Sequence, residues 1–124
     1  MANILVIDDE PYILLMIKKM LEQIGHRVDL ASNGKEGLEF LRQHRFDILI
    51  TDIVMPEKEG LETIREVRQT YPDLKIIAIS GGGRLDSSEY LEPARYFGAK
   101  KLIKKPFQKS ELITAVNELL EEDQ

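Results

Sequence analysis

Short apolar runs rich in β-branched residues alternate along the chain with longer segments of helical periodicity. The apolar runs cover residues 4–7, 28–31, 46–51, 76–79 and 101–103. Their length and composition predict five β-strands. The runs at 4–7 and 76–79 are apolar at every position, which is typical of central strands that are covered on both faces. The last run is flanked by lysines, which indicates a strand at the edge of the sheet.

Five helical segments are predicted between and after these strands. They begin at or near, in chain order, Pro11, Asn33, Pro56, residues around 90–97 and Ser110. The first helix is expected to start at Pro11 and to be closed by Gly25, because proline suits the first helical turn and glycine the position after the last. Asn33 predicts an N-cap. The fourth helix is the weakest prediction, because Pro93 lacks a backbone donor and would kink it or start it late.

Alternation of strands and helices predicts a parallel sheet with right-handed crossovers and helices on both faces. Two strand orders are common in such doubly wound α/β folds. A chain with five strands and only 124 residues favours the flavodoxin-like order 2-1-3-4-5. The whole chain, residues 1–124, is therefore expected to form one domain.

Composition narrows the possible functions. Seventeen Lys and Arg against 22 Asp and Glu give a net charge of −5, which argues against direct nucleic-acid binding, since phosphate neutralisation needs a basic surface. The absence of cysteine excludes disulfides, thiolate metal sites and cysteine nucleophiles. No apolar run approaches the ~20 residues that span a bilayer, and no secretory signal begins the chain. A cytoplasmic protein without membrane insertion is expected.

Polar residues follow several of the predicted strands at their carboxyl ends. Strand one leads into Asp8-Asp9, strand three into Asp52, strand four into Ser80 and strand five into Lys105. In an open parallel sheet these ends share one edge, which is where ligands bind. Two carboxylates ~4 Å apart repel by about 4 kcal/mol at an effective dielectric of 20, so the cluster calls for a cation. Mg²⁺ prefers such all-oxygen sites and leaves room for a phosphate oxygen.

Two local features add expectations about the first helix. Asp9 and Glu10 precede Pro11 and are expected to cap the helix N-terminus, with metal binding as a second role. Residues 13–17 are apolar five times running. Because five consecutive residues cover every side of a helical turn, one or two of them are expected to face away from the sheet.

With these motifs in place, the chain resembles the receiver domain of bacterial two-component response regulators from end to end, and is similar to the chemotaxis regulators. The motifs that carry the resemblance are Asp8-Asp9 after residues 4–7, then Asp52-Ile53-Val54-Met55-Pro56 with Gly60 downstream, Ser80, and Lys105-Pro106-Phe107. One such motif alone would be weak, but four in the family's order are specific.

The resemblance implies that Asp52 accepts a phosphoryl group from a phosphohistidine on a sensor histidine kinase or a histidine phosphotransfer protein. It implies a Mg²⁺ ion whose ligands are Asp8, Asp9, Asp52 and the backbone carbonyl of Val54. Ser80 would bond a phosphoryl oxygen and Lys105 would pair with the phosphate. A cis peptide before Pro106 and docking of the kinase's helical domain on the first helix are also implied.

The sequence departs from the family pattern in three places. Leu102 stands three residues before Lys105, where receivers commonly carry an aromatic residue that swings inward on activation. Ser80 and Lys105 are 105 − 80 = 25 residues apart, a few more than is typical. Val54 and Gly82 occupy the positions that tune phosphoryl lifetime, and neither side chain can hold a water.

These observations favour a signalling switch that catalyses only its own phosphorylation chemistry. Its output would be altered contacts with a downstream protein target at the face of the fourth helix, fifth strand and fifth helix. A monomer or weak dimer is expected. The alternative is a pseudo-receiver that never carries phosphate, which Leu102 alone favours. A flavin site is disfavoured because Asp8-Asp9 would repel phosphate. An aspartyl-phosphate hydrolase is disfavoured because such enzymes normally carry a second acid two residues after the nucleophile, where this chain has Val54. No Gly-rich P-loop is present either.

Overall fold

The computed structural model describes residues 1–53, 59–81 and 98–122. Five parallel strands form one sheet in the order β2-β1-β3-β4-β5. In chain order they are β1 (Asn3–Ile7), β2 (Arg27–Ala31), β3 (Ile48–Asp52), β4 (Lys75–Gly81) and β5 (Lys101–Lys105). The predicted flavodoxin-like order is confirmed, and strand order reverses between β1 and β3.

Four helices lie within the described residues. They are α1 (Pro11–Glu22), α2 (Gly34–Gln43), α3 (Glu59–Thr70) and α4 (Lys109–Glu121). Asn33 caps α2 as predicted, because its side chain accepts a hydrogen bond from the Glu36 backbone N–H at 2.9 Å. Gly25 has a φ of +94° in the turn after α1, a conformation that favours glycine. The helix predicted around residues 90–97 and the residues around Pro56 lie outside the described part of the chain.

Strand boundaries differ from the prediction by one to two residues. The third strand was expected over residues 46–51 but runs from Ile48 to Asp52, and Phe46 is buried before the strand begins. β4 continues one residue past Ser80, and β5 continues to Lys105. Apolarity sets the predicted limits, whereas parallel pairing extends strands through polar residues; Ser80 pairs with Lys104 in this way.

The core consists of two layers, one on each face of the sheet. Side chains of β1 alternate between the two layers. Ile4 and Val6 lie in the layer under α1 and α4, whereas Leu5 and Ile7 lie in the layer under α2 and α3. All four are at most 1% exposed. Central strands covered on both faces are therefore confirmed. The register of the sheet then fixes which strand ends meet at the carboxyl edge.

α2 approaches the sheet closely because Gly37 has no side chain. A Cβ at this position would lie 2.3 Å from Cδ1 of Ile7 on β1. This distance is far inside van der Waals contact, so any larger residue would force the helix or Ile7 to move.

The apolar run at the start of α1 divides between core and surface. Ile13, Leu14 and Ile17 are buried, whereas Leu15 is 63% exposed. Tyr12, one turn earlier on the same side, is 66% exposed. The expectation that one or two of these residues face away from the sheet is confirmed. None of the described helices is long and apolar enough to cross a membrane.

Candidate functional site

The carboxyl ends of the strands bring polar side chains from distant parts of the chain to one edge of the sheet. Asp8 and Asp9 follow β1 directly, Asp52 is the last residue of β3, and Lys105 is the last residue of β5. Asp8 is 1% exposed and Asp52 is 3% exposed. Charged side chains are rarely this buried unless they are paired.

Lys105 provides that pairing. Its Nζ lies 2.8 Å from Oδ2 of Asp52 and 2.9 Å from Oδ2 of Asp8. The Lys105 side chain is only 12% exposed, so both ion pairs are shielded from water. The other Asp8 oxygen, Oδ1, accepts a hydrogen bond from the Glu10 backbone N–H at 2.9 Å. Asp8, which follows β1, and Asp52, which ends β3, are therefore held together by one ammonium group.

Burial and pairing act against each other on these groups. Burial raises the pKa of the Asp8 carboxyl, and the hydrogen bond from Lys105 only partly offsets this shift. Burial by itself would lower the pKa of Lys105, but its hydrogen bonds to Asp52 and Asp8, together with their charges, raise it above its ordinary value. Lys105 therefore stays charged near neutral pH, whereas burial disfavours the charged form of Asp8.

Glu10 belongs to the same cluster, although the sequence predicted capping as the first role of its side chain and metal binding only as the second. Its Oε1 lies 3.3 Å from Nζ of Lys105. Glu10 occupies the N-cap position of α1, but its side chain makes no capping hydrogen bond, so the expected capping role of this side chain is wrong. The carboxylate turns to the nearby ammonium instead. Its adjacency to Asp8-Asp9 was the signal that could have indicated this.

The donor set of the cluster suits a hard divalent cation. One carboxylate oxygen from each of Asp8, Asp9, Glu10 and Asp52 lies within 4.8 Å of the others. Mg²⁺ binds oxygen ligands at ~2.0–2.1 Å in an octahedron, so oxygens on opposite sides of the ion are ~4.2 Å apart. The upper limit of 4.8 Å between the carboxylate oxygens is close to this span. Val54, whose carbonyl the family resemblance adds to the ligands, lies outside the described residues.

Ser80 contributes a hydroxyl that lacks a partner within the described part of the chain. Its side chain is 0% exposed, and its Oγ makes no hydrogen bond there. Its position follows from register, because Asp52 of β3 pairs with Ile79 and Ser80 is the next residue of β4. A buried hydroxyl without a partner is costly, and a phosphoryl oxygen at this edge would relieve that cost.

The other family features of the site have mixed outcomes. The peptide bond between Lys105 and Pro106 is cis, as the resemblance implied. Leu102, at the position where receivers commonly carry an aromatic residue, is half-buried and packs against the core layer under α2 and α3. Gly82 lies outside the described residues.

Similarity to known proteins identifies the family to which the chain belongs. The profile described as response regulator receiver domain matches residues 4–117. The chain belongs to this family. Receiver domains are signalling switches rather than conventional enzymes, and they interact with histidine kinases and downstream effectors.

Individual receivers are similar over the whole chain. The chemotaxis protein CheY of Thermotoga maritima is 34% identical over 118 residues, which are 94% of this chain and 96% of that protein. A receiver domain structure from Clostridium thermocellum superimposes with a TM-score of 0.89 at 34% identity, covering 99% of this chain and 97% of that one.

Receivers also occur inside longer proteins. The sensor kinase CckA of Brucella abortus is 34% identical over 122 residues, which are 97% of this chain but only 13% of that protein. The chain thus spans nearly all of one relative and about an eighth of another. Activities of whole relatives therefore do not transfer directly to it.

Proposed function

We propose that this receiver is a phosphorylatable switch in which Asp52 accepts a phosphoryl group from a phosphohistidine of a sensor histidine kinase or phosphotransfer protein. An oxygen of Asp52 forms a bond to phosphorus while the bond between phosphorus and the imidazole nitrogen breaks. The imidazole leaves with the electron pair, and Asp52 becomes an acyl phosphate.

The observation that carries this proposal is the set of groups around Asp52. The Lys105 ammonium lies 2.8 Å from Oδ2 of Asp52, and the Ser80 hydroxyl is buried on the neighbouring strand. Phosphoryl transfer requires positive charge and hydrogen-bond donors around the equatorial oxygens. Lys105 would supply the charge and Ser80 the donor, so the reaction would be stabilised where its charge develops.

Mg²⁺ would be held by Asp8, Asp9 and Asp52, with Val54 as the proposed carbonyl ligand. When bound, the ion would offset the charge of the transferring phosphoryl group. The carboxylates of this chain would bind and orient it, and Lys105 would offset the remaining negative charge of the cluster.

Incubation with acetyl phosphate and Mg²⁺ followed by intact-protein mass measurement tests the proposal. The wild type should gain one phosphoryl group that is acid-stable and base-labile, and Asp52→Asn should gain none. Asp47→Asn is the matched control, because Asp47 is exposed and precedes the opposite end of β3. Failure of the wild type to gain a phosphoryl group would contradict the proposal and favour the pseudo-receiver alternative.

The exposed residues of α1 support docking of a kinase next to the acceptor site. α1 begins directly after the cluster, and it presents Tyr12 and Leu15 to solvent. An apolar patch of this kind suits a helical partner. Leu15→Ser should therefore slow transfer from a phosphorylated kinase domain while leaving the rate with acetyl phosphate unchanged. Equal slowing with both donors would contradict kinase docking at this patch.

Output is proposed at the face formed by the helix predicted around residues 90–97, by β5 and by α4, which corresponds to the fifth helix predicted from the sequence. Lys105 is the last residue of β5. A phosphoryl group that binds the Lys105 ammonium would therefore shift the end of this edge strand. An ion pair between Lys101 of β5 and Glu118 of α4 crosses this face, with Nζ 3.3 Å from Oε1. Amide exchange with and without beryllofluoride would test this link, and unchanged protection over β5 and α4 would contradict it.

A further inference from the structure

The ammonium group of Lys105 is fully engaged by carboxylates. A lysine ammonium has three N–H donors. Within the described residues its Nζ lies 2.8 Å from Asp52 Oδ2, 2.9 Å from Asp8 Oδ2 and 3.3 Å from Glu10 Oε1. Each donor can thus be assigned to one carboxylate. A phosphoryl oxygen can gain a hydrogen bond from Lys105 only when one of these three bonds is given up.

Glu10 is the partner that costs least to release. Its contact with Lys105 is the longest of the three, and its side chain is 42% exposed, against 1% for Asp8 and 3% for Asp52. Once released, the Glu10 carboxylate can be solvated by water, whereas the buried acids would be left as unpaired charges.

Tyr12 provides Glu10 with a second donor. A hydrogen bond from the exposed Tyr12 hydroxyl lowers the pKa of Glu10 and raises that of Tyr12. The Tyr12 hydroxyl and the Lys105 ammonium, whose Nζ lies 3.3 Å from Oε1, therefore both favour the charged form of Glu10. The hydroxyl can hold the carboxylate after Lys105 has turned away.

We propose that Glu10 is the partner that Lys105 exchanges for a phosphoryl oxygen, and that it acts as a positioning residue that slows phosphoryl acceptance by Asp52. The inference rests on the proposed function, because it concerns the same transfer. With acetyl phosphate, Asp52 oxygen bonds to phosphorus, the bond from phosphorus to the acetyl oxygen breaks, and acetate leaves with the electron pair. Lys105 changes acceptors without losing a proton.

Rates of phosphorylation by acetyl phosphate at saturating Mg²⁺ test this exchange. Glu10→Gln keeps the shape of the side chain and removes the competing charge, and it should react about three to ten times faster. Tyr12→Phe leaves Lys105 as the stronger remaining partner of Glu10, and it should react about twofold more slowly. An unchanged rate in Glu10→Gln, or a faster rate in Tyr12→Phe, would overturn the exchange.

A double-mutant cycle separates competition for Lys105 from general repulsion of the anionic donor. In a Lys105→Met background, Glu10→Gln should change the rate by no more than about twofold, since only screened repulsion remains. A ratio equal to that in the wild-type background would show that Glu10 acts independently of Lys105 and would overturn the inference.

A spectroscopic measurement needs no phosphorylation. The ¹⁵N resonance of the Lys105 ammonium should shift in Glu10→Gln before any phosphodonor is added, and an unshifted resonance would overturn the contact. The two proposals fail differently. No phosphoryl gain by the wild type overturns both, whereas normal gain with equal rates in the wild type and Glu10→Gln overturns only the exchange.

Discussion

Replacing Asp8 by Asn is expected to stabilise the metal-free domain at neutral pH. The Asp8 carboxylate is 1% exposed, and its pKa is raised because burial outweighs the hydrogen bond from Lys105. A folded state that raises the pKa of an acid binds the proton more tightly than the unfolded state. The stability that Asp8 contributes is therefore fully present below its unfolded pKa of about 3.9 and is lost as the pH rises through its folded pKa.

The size of the effect follows from opposing contributions. At an effective dielectric of 20, a carboxylate of Asp52 within 4.8 Å repels Asp8 by about 3.5 kcal/mol, and Lys105 at 2.9 Å attracts it by about 6 kcal/mol. Removing the Asp8 charge from water costs several kcal/mol more. With a desolvation cost of about 5 kcal/mol, the net cost of the charge is about 2–3 kcal/mol, and Asn would lose about 1 kcal/mol of this by weaker acceptance from Lys105. A gain of about 1–2 kcal/mol in unfolding free energy remains.

Urea denaturation with a chelator present, from pH 4 to pH 8, would measure this gain. Asp8→Asn should exceed the wild type near pH 7, and the difference should vanish at the acidic end. The exposed Asp73→Asn removes the same charge and should stay within about 0.5 kcal/mol of the wild type. With Mg²⁺ in place of the chelator, the wild type should be stabilised more than Asp8→Asn. A variant less stable than the wild type at pH 7 with chelator would refute the reasoning.

Three further changes probe other parts of the molecule. Gly37→Ala should lower the unfolding free energy by about 1–3 kcal/mol, because its Cβ would lie 2.3 Å from Cδ1 of Ile7; wild-type stability in urea would contradict this. Ser80→Ala should raise stability without phosphodonor by about 1 kcal/mol, and a clear loss would show that its hydroxyl is satisfied. Burial and the N-terminal charge lower the pKa of His26, which accepts from the Ala2 backbone N–H. The contribution of His26 to the unfolding free energy should be present above about pH 6.5 and be lost as the pH falls through the folded pKa of His26. In thermal melts over the acid range, His26→Leu should remove this pH dependence of stability.

Much of the fold was predictable because its signals are local. Residues 4–7 and 76–79 are apolar at every position, and they form strands buried on both faces. Asn33 capped a helix as its side chain predicts. Strand ends were less predictable, because pairing with neighbours carries a strand through polar residues such as Ser80.

The candidate site was predictable in its members but not in its contacts. The order 2-1-3-4-5 places the ends of β1, β3, β4 and β5 along one edge, so the clustering of Asp8, Asp52 and Lys105 follows from topology. Glu10 was expected to cap α1 because local spacing favours that role. Its actual contact is with Lys105, 95 residues away in the sequence, and the only local sign of that contact is the position of Glu10 next to Asp8-Asp9.

The amino-acid sequence by itself determined the alternation of strands and helices and the edge at which charges collect. Periodicity and residue type carry that information over a few positions. Only the tertiary structure decided that one ammonium group serves three carboxylates and that Leu15 faces solvent. Both outcomes depend on how distant elements pack, because burial and charge pairing are properties of the space around a side chain and not of its neighbours in the chain.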